Sequence, residues 1–133
     1  MPADVAGEYL GQCGMDSRLA SRAAVFARLL SAWNEADPED VRALVTADYV
    51  GHLLGPAPGE RTARQYPDWI RSYRAANPGA WFSVQDQGAD GDRLWTRLSA
   101  RLGDGSTAHG MNVSRFVGDR IAEEWALWSP WVG

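Results

Sequence analysis

The sequence predicts an α+β fold, with helices in the first half, a curved antiparallel sheet in the second, and a pocket between the two layers. Three observations lead there. Apolar residues recur at helical spacing as far as Tyr73, and at alternate positions from Trp81 onward. Turns rich in Gly and Asp cut the second part into four segments of strand length. The chain, at 133 residues, has the size of one domain with a real core. Helices followed by a meander of strands pack as two layers, with the helices on one face of the sheet.

Residues 1–15 are weakly patterned and read as an N-terminal extension, and residues 16–133 read as a single domain. Asp16 or Ser17 can cap a helix. Leu19, Ala23, Phe26, Leu30 and Trp33 then mark an amphipathic stripe, which predicts a helix over 17–34. Asp37-Pro38-Glu39-Asp40 starts a short second helix: a capping Asp, Pro in the first turn, then acids favoured by the helix dipole. Val41, Leu44 and Val45 give it an apolar side. Asp48 to His52 reads as a short extended piece, and Leu53 to Arg61, rich in Gly and Pro, as a loop. Pro67 starts a third helix that ends at Asn77-Pro78-Gly79. Four strands follow, over 81–87, 94–102, 108–117 and 121–129.

Composition narrows the function classes. All 13 basic residues are Arg, scattered without a basic block, and the formal net charge is −4, so a nucleic-acid partner is not expected. The absence of Lys removes Schiff-base and phosphate-loop lysine chemistry. The lone Cys13 and two well-separated His give no metal-ligand cluster, so no metal and no cofactor are expected. No segment is apolar enough to cross a bilayer, and the first 14 residues lack the pattern of a signal peptide. With a single Cys, this points to a cytoplasmic protein and no membrane partner. Seven Trp are a heavy load, and such rings line ligand cavities as well as plain cores.

Three stretches carry a resemblance: "AWNEADPEDVRALVTADYVGHLLGP", "GDRLWTRLSARLGDG" and "GMNVSRFVGDRIAEEWALW". In order and spacing they resemble the SnoaL-like polyketide cyclases, within the nuclear transport factor two-like fold that bacterial ketosteroid isomerase shares. The resemblance covers about Ala23 to Trp128. It implies a cone-shaped barrel, a curved sheet wrapped around N-terminal helices with a deep pocket between them. It also implies a homodimer packed through the outer face of the sheet, and a place in secondary metabolism. It leaves the reaction open, because one fold hosts many functions.

The same resemblance places candidate chemistry. The "VGHLLG" segment is similar to the stretch holding the isomerase's general-base Asp, where related cyclases often hold His; here it is His52. The "MNVSRF" segment is similar to the isomerase strand bearing an oxyanion-binding acid; here the position is Asn112. A histidine can accept and return a proton at neutral pH, and an amide is always a donor. The pair could thus stabilise an enolate. An amide cannot shuttle a proton, so the usual cyclase route is not available through Asn112. The hairpin from Gly103 to Asn112 resembles the isomerase's in length and lacks the longer loop of many cyclases.

Strand parity adds further candidates. Gly110, Ser114 and Phe116 share a face with Asn112, and Glu124 falls on that side with Ala126 and Trp128. Glu124 is a second acid/base candidate, or the partner of Arg97 in an ion pair across the sheet. On the strand 94–102, Trp95, Arg97 and Ser99 form one face, and the other holds Leu94, Thr96, Leu98 and Ala100. Arg97 could hold a substrate carboxylate or enolate oxygen. Ser99, Tyr66, Trp69, Trp95 and Trp128 complete the substrate-binding candidates, the aromatics as walls for a flat ligand or as ordinary core. His52 has a second reading as a loop histidine bonded to backbone, and His109 falls on the face opposite Asn112.

Three readings follow. The favoured one is an enzyme doing cofactor-independent proton transfer (cyclisation, isomerisation or water addition) on a hydrophobic, polycyclic or polyketide-like molecule. It predicts that His52, Asn112 and Glu124 converge on one cavity. The second is a ligand-binding or accessory protein of the same fold, with an apolar pocket, Glu124 tied up by Arg97 and His52 turned out. The third is a structural dimerisation domain whose cavity is filled by its own Trp and Tyr. An epoxide hydrolase built on Glu124 and Arg97 is a further alternative.

Overall fold

The computed structural model describes residues 13–56 and 58–133. Helix α1 spans Cys13–Asn34, a 3-10 helix spans Pro38–Ala43, and helix α2 spans Tyr66–Ala76. Six strands, β1 Val45–Leu53, β2 Gly59–Thr62, β3 Trp81–Asp90, β4 Arg93–Arg101, β5 Thr107–Val117 and β6 Arg120–Trp128, form one sheet in the order β2-β1-β6-β5-β4-β3. The α+β class is as predicted. The sheet curves over the helices without closing, so β2 and β3 are its edges. Helix α1 starts at Cys13, before the predicted cap, and residues 1–12 lie outside the described residues.

Two elements differ from expectation. The extended piece at Asp48–His52 is the centre of a nine-residue strand that pairs in parallel with β6, between Val50↔Glu123 and Leu53↔Ala126. Part of the expected loop is β2, antiparallel to β1 with His52 opposite Glu60. β1 joins the sheet beside β6, the last strand of the meander, and β2 forms the edge beyond it, so local turn signals do not announce them. The turns at Gly103–Gly105 and Gly118-Asp119 fall as predicted, whereas β3 runs three residues past its expected end and turns only at Gly91-Asp92. Gly91 and Gly118, with φ of 61° and 63°, take the left-handed backbone that tight turns need.

Apolar patterning fixes which face is inner. Phe26, Leu29 and Ala32 of α1 are buried against the sheet, with Tyr66 and Ile70 of α2, Leu94 and Leu98 of β4, and Phe116 and Ile121. Polar side chains pin the helices to it. Asn34 at the end of α1 pairs with the backbone of Phe82 as a strand would, donating at 2.9 Å and accepting at 2.7 Å. Arg74 of α2 donates to the carbonyl of Ala32 in the last turn of α1 and to that of Ala36 just beyond it. Asp37 caps the 3-10 helix as expected, accepting from the N–H of Glu39 at 2.9 Å. Val132 returns to pair with Thr107, and so brings Trp131 back over the helix-facing side.

Candidate active site

Between the helices and the inner face of the sheet lies a cavity of about 300 Å³. Its walls are apolar, built chiefly from Phe26, Leu29, Trp33, Phe82, Trp69 and Trp128. Trp131 lines it too. The polar groups gather in one place, where Arg61, Tyr66, Asn112 and Glu124 meet. An apolar cavity with a few convergent polar groups is the usual form of a small-molecule site.

Glu124 is the centre of that cluster and is 1% exposed. Its Oε1 accepts from the Tyr49 hydroxyl at 2.5 Å, from the Tyr66 hydroxyl at 3.1 Å, and from Arg61 Nη2 at 3.4 Å. Its Oε2 is held more loosely, by Asn112 Nδ2 at 3.3 Å and Ser114 Oγ at 3.5 Å. Ser114 is already committed to Asn112 Oδ1 at 2.9 Å. The carboxylate is therefore tied on one oxygen and comparatively open on the other.

The donors are fixed in turn. Tyr49 and Tyr66 stack with ring centroids 5.1 Å apart, and the Trp33 indole N–H donates to the Tyr66 oxygen at 3.1 Å. Arg61 Nε donates to the Tyr49 oxygen at 3.2 Å. Burial pushes the Tyr49 phenol well above the ordinary range, and the charge of Glu124 adds to the rise. Burial raises the Tyr66 phenol as well, against the pull of Arg61. Both hydroxyls therefore stay protonated and donating. Burial opposes the charge on Arg61, but Tyr66, Tyr49 and Glu124 around it outweigh that, and its pKa is raised.

Gly51 makes the arrangement possible. It lies on β1 between Tyr49 and Leu53, and a Cβ there would come 2.4 Å from the Tyr49 hydroxyl and 2.9 Å from Arg61 Nε. Gly110 does the same for a wall. It sits opposite Trp128, and a Cβ would come 2.5 Å from that ring.

The structure brings together Asn112, Glu124, Tyr66, Trp69 and Trp128 around one cavity. Four other candidates lie elsewhere. His52 does not face the cavity. On β1 the inward positions are Tyr49, Gly51 and Leu53, so His52 points to the outer face, where it stacks on Trp125 at 5.6 Å. There Nδ1 meets Glu60 at 3.0 Å and Nε2 meets Glu123 at 2.6 Å. Trp95, Arg97 and Ser99 also lie on the outer face, because β4 turns Leu94, Thr96, Leu98 and Ala100 inward. Arg97 is thus on the wrong side of the sheet for Glu124; the ion pair forms with Arg61 instead. The sequence pattern puts Arg61 at the end of a loop and marks no role for Tyr49. The alternation Tyr49-x-Gly51-x-Leu53 was the available signal for the latter. Among the described residues no group of His, Cys, Asp and Glu could hold a metal ion, and no helix is long and apolar enough to cross a membrane.

A family model described as a SnoaL-like domain matches residues 26–124. The chain belongs to this SnoaL-like family. The match spans the elements that build the cavity, from Phe26 in α1 to Glu124 in β6. IdmH, "a putative polyketide cyclase from Streptomyces antibioticus", is 28% identical; the alignment covers 81% of this chain and 91% of that one, with a TM-score of 0.71. An NTF2-like protein of unknown function from Mesorhizobium loti is 25% identical over 85% of this chain and 94% of that one, with a TM-score of 0.69. A protein described as "a putative polyketide cyclase" from Acidithiobacillus ferrooxidans, 21% identical over 82% and 88% of the two chains with a TM-score of 0.72, shares the fold. Among curated proteins, none matches the sequence. These likenesses show the SnoaL-like fold, and they name no substrate for this chain.

Proposed function

We propose that this SnoaL-like protein is an enzyme that moves a proton on a hydrophobic, polycyclic or polyketide-like molecule without a cofactor, in a cyclisation, an isomerisation or an addition of water. The observation that carries the reading is Glu124. A carboxylate that is 1% exposed stands at the polar end of an apolar cavity, with Oε2 the less firmly held oxygen. Such a group can take a proton from a bound substrate and return it at a second position. Asn112 uses one amide hydrogen on Glu124 and has another to offer an oxygen of the substrate. Tyr49 and Tyr66 hold the carboxylate in place and compensate its charge. His52 has no part in this scheme. The test is turnover of a panel of polycyclic aromatic ketones and phenols, followed by NMR for proton exchange and rearrangement. Glu124→Gln should keep ligand binding within a few fold and lower turnover by ~10²-fold or more. Undiminished turnover in Glu124→Gln removes Glu124 from the chemistry.

Two observations favour a second reading, a binding or accessory protein without turnover. Glu124 is tied to an Arg, though Arg61 rather than Arg97, and His52 is turned out of the cavity. On that reading the same panel binds the wild-type protein and is released unchanged.

A further inference from the structure

Arg61 has more hydrogen-bonding capacity than the protein uses. Its guanidinium carries five N–H donors. Nε donates to Tyr49 and one Nη2 hydrogen to Glu124, which leaves three with no protein acceptor among the described residues. Arg61 is 8% exposed and lines the cavity, so these donors are buried beside it. A buried donor without an acceptor is costly, and the exceptions call for an explanation. The faces of the group are occupied: Cζ lies 4.1 Å from the Tyr66 ring centroid, 5.4 Å from Trp69 and 5.7 Å from Trp33. Aromatic contacts satisfy the faces of a guanidinium and leave its N–H edge directed outward in its plane.

We infer that Arg61 is the anchor for an oxygen of the ligand, and that the cavity selects a flat apolar molecule presenting a neutral carbonyl rather than a carboxylate. The charge balance decides between the two. Arg61 and Glu124 already form an ion pair, so the buried site is neutral as it stands. A carboxylate ligand would bring in an uncompensated charge next to Glu124, which a low-dielectric cavity penalises. A carbonyl accepts the free N–H groups and adds no charge. This rests on the proposed proton transfer only for its consequence. When a C–H bond beside that carbonyl breaks and the proton passes to Glu124, the electron pair becomes an enolate with its charge on the oxygen bound to Arg61. The ion pair then moves from Glu124–Arg61 to enolate–Arg61, with no net charge created in the cavity. Gly51 acts as a positioning residue here, since its missing side chain is what lets Arg61 reach the site.

The test reads binding alone, by quenching of tryptophan fluorescence and calorimetry. The probes are 2-acetylnaphthalene, 2-naphthoate and 2-ethylnaphthalene, which share a shape and differ in the oxygen. The wild-type protein should bind the ketone at least about tenfold more tightly than either of the others. In Arg61→Met the advantage of the ketone over the ethyl compound should vanish while the ethyl compound binds within about threefold of wild type. Arg61→Met leaves Glu124 without its counter-ion and could fail to fold. The double variant Arg61→Met, Glu124→Gln removes both charges and should show the same loss of ketone preference. Naphthoate binding as tightly as the ketone overturns the inference, as does a flat ranking, no binding by any probe, or a ketone preference that survives in the variants. No turnover enters the ranking, so the fate of the proton-transfer proposal and the fate of this one are read separately.

Discussion

Glu123 and Glu124 are neighbours on β6 and live in opposite environments. Glu124 faces the cavity, is 1% exposed, and draws donors from β1, β2, β5 and α2. Glu123 faces outward with its side chain 27% exposed, and meets His52 at 2.6 Å and Arg115 at 3.3 Å. On each side of the sheet a carboxylate meets a nitrogen-bearing side chain, and an aromatic ring lies against each of these partners, Tyr66 on Arg61 and Trp125 on His52. The resemblance placed the proton chemistry on His52, which sits in the solvated cluster. The proposed reading puts it on the other side of the sheet, at Glu124. What separates the two sides is water: charges screened by solvent contribute little, whereas buried ones must be matched group by group.

The largest expected contrast is in stability. Glu124→Ala leaves the guanidinium of Arg61 buried without its counter-charge and removes the acceptor of two tyrosines, a loss of about 3–5 kcal/mol. Glu123→Ala should lose at most about 1 kcal/mol, the scale of an exposed pair. Urea unfolding with a common m-value measures both. Adding Arg61→Met to Glu124→Ala should recover part of the loss, because the two sites share one interaction. Equal losses for Glu123→Ala and Glu124→Ala would end the distinction between the faces.

A second contrast uses glycines opposite tryptophans. Gly110 lies opposite Trp128 on the inner face, and Gly88 lies opposite Trp95 on the outer face. A Cβ would come 2.5 Å from the Trp128 ring in the first case and 2.4 Å from the Trp95 indole in the second. The clashes are alike, and the freedom to relieve them differs. Trp95 is 38% exposed and can swing into solvent, whereas Trp128 packs on Phe82 at 5.4 Å and can move only into the cavity. Gly110→Ala should therefore lose about 1–3 kcal/mol and weaken ligand binding. Gly88→Ala should lose less than about 1 kcal/mol and leave binding unchanged. Thermal unfolding with and without a bound naphthyl ketone separates the two effects.

The same contrast explains what the sequence made legible. The four-strand meander, its turns and the grouping of Gly110, Asn112, Ser114 and Phe116 on one face follow from period-two patterning and local turn chemistry. So does Glu124, which shares parity with Ala126 and Trp128. Parity sorts residues into two faces but does not say which is buried. On β4 the polar set Trp95, Arg97 and Ser99 looked more suited to chemistry, yet the set with Leu94, Leu98 and Ala100 is the one a core requires. Arg61 was beyond local reading. Its strand is four residues long and polar throughout, and it turns inward only because β2 pairs with β1 and sets Arg61 opposite Gly51. That pairing is a tertiary fact. His52 was placed by resemblance to a segment, and Val50 and His52 fall on the outer side of β1 once Tyr49 is seen to be core.

The smallest effect is a pH dependence confined to the outer cluster. The hydrogen bond from His52 holds the Glu123 carboxyl below the usual glutamate range, and Arg115 lowers it further. A carboxyl depressed in the folded protein binds fewer protons there than in the unfolded chain. Its contribution is present above the ordinary glutamate value of about 4.3 and is lost as pH falls through the lower folded value. His52→Ala removes the first cause, so stability should fall less steeply with acid below that pH than in the wild-type protein. Glu39 and Asp104 are depressed too, by Arg42 and Arg71 and by the backbone of Ser106, and they lie apart from this cluster, so they contribute alike to both proteins. The difference between the two urea-midpoint profiles isolates the outer cluster. Because Glu123 and Glu60 are in contact with solvent, half-molar salt should narrow that difference. A wild-type profile that matches His52→Ala would show that the His52–Glu123 contact has no thermodynamic weight, and a difference that persists in salt would show that this cluster is less solvated than its geometry indicates.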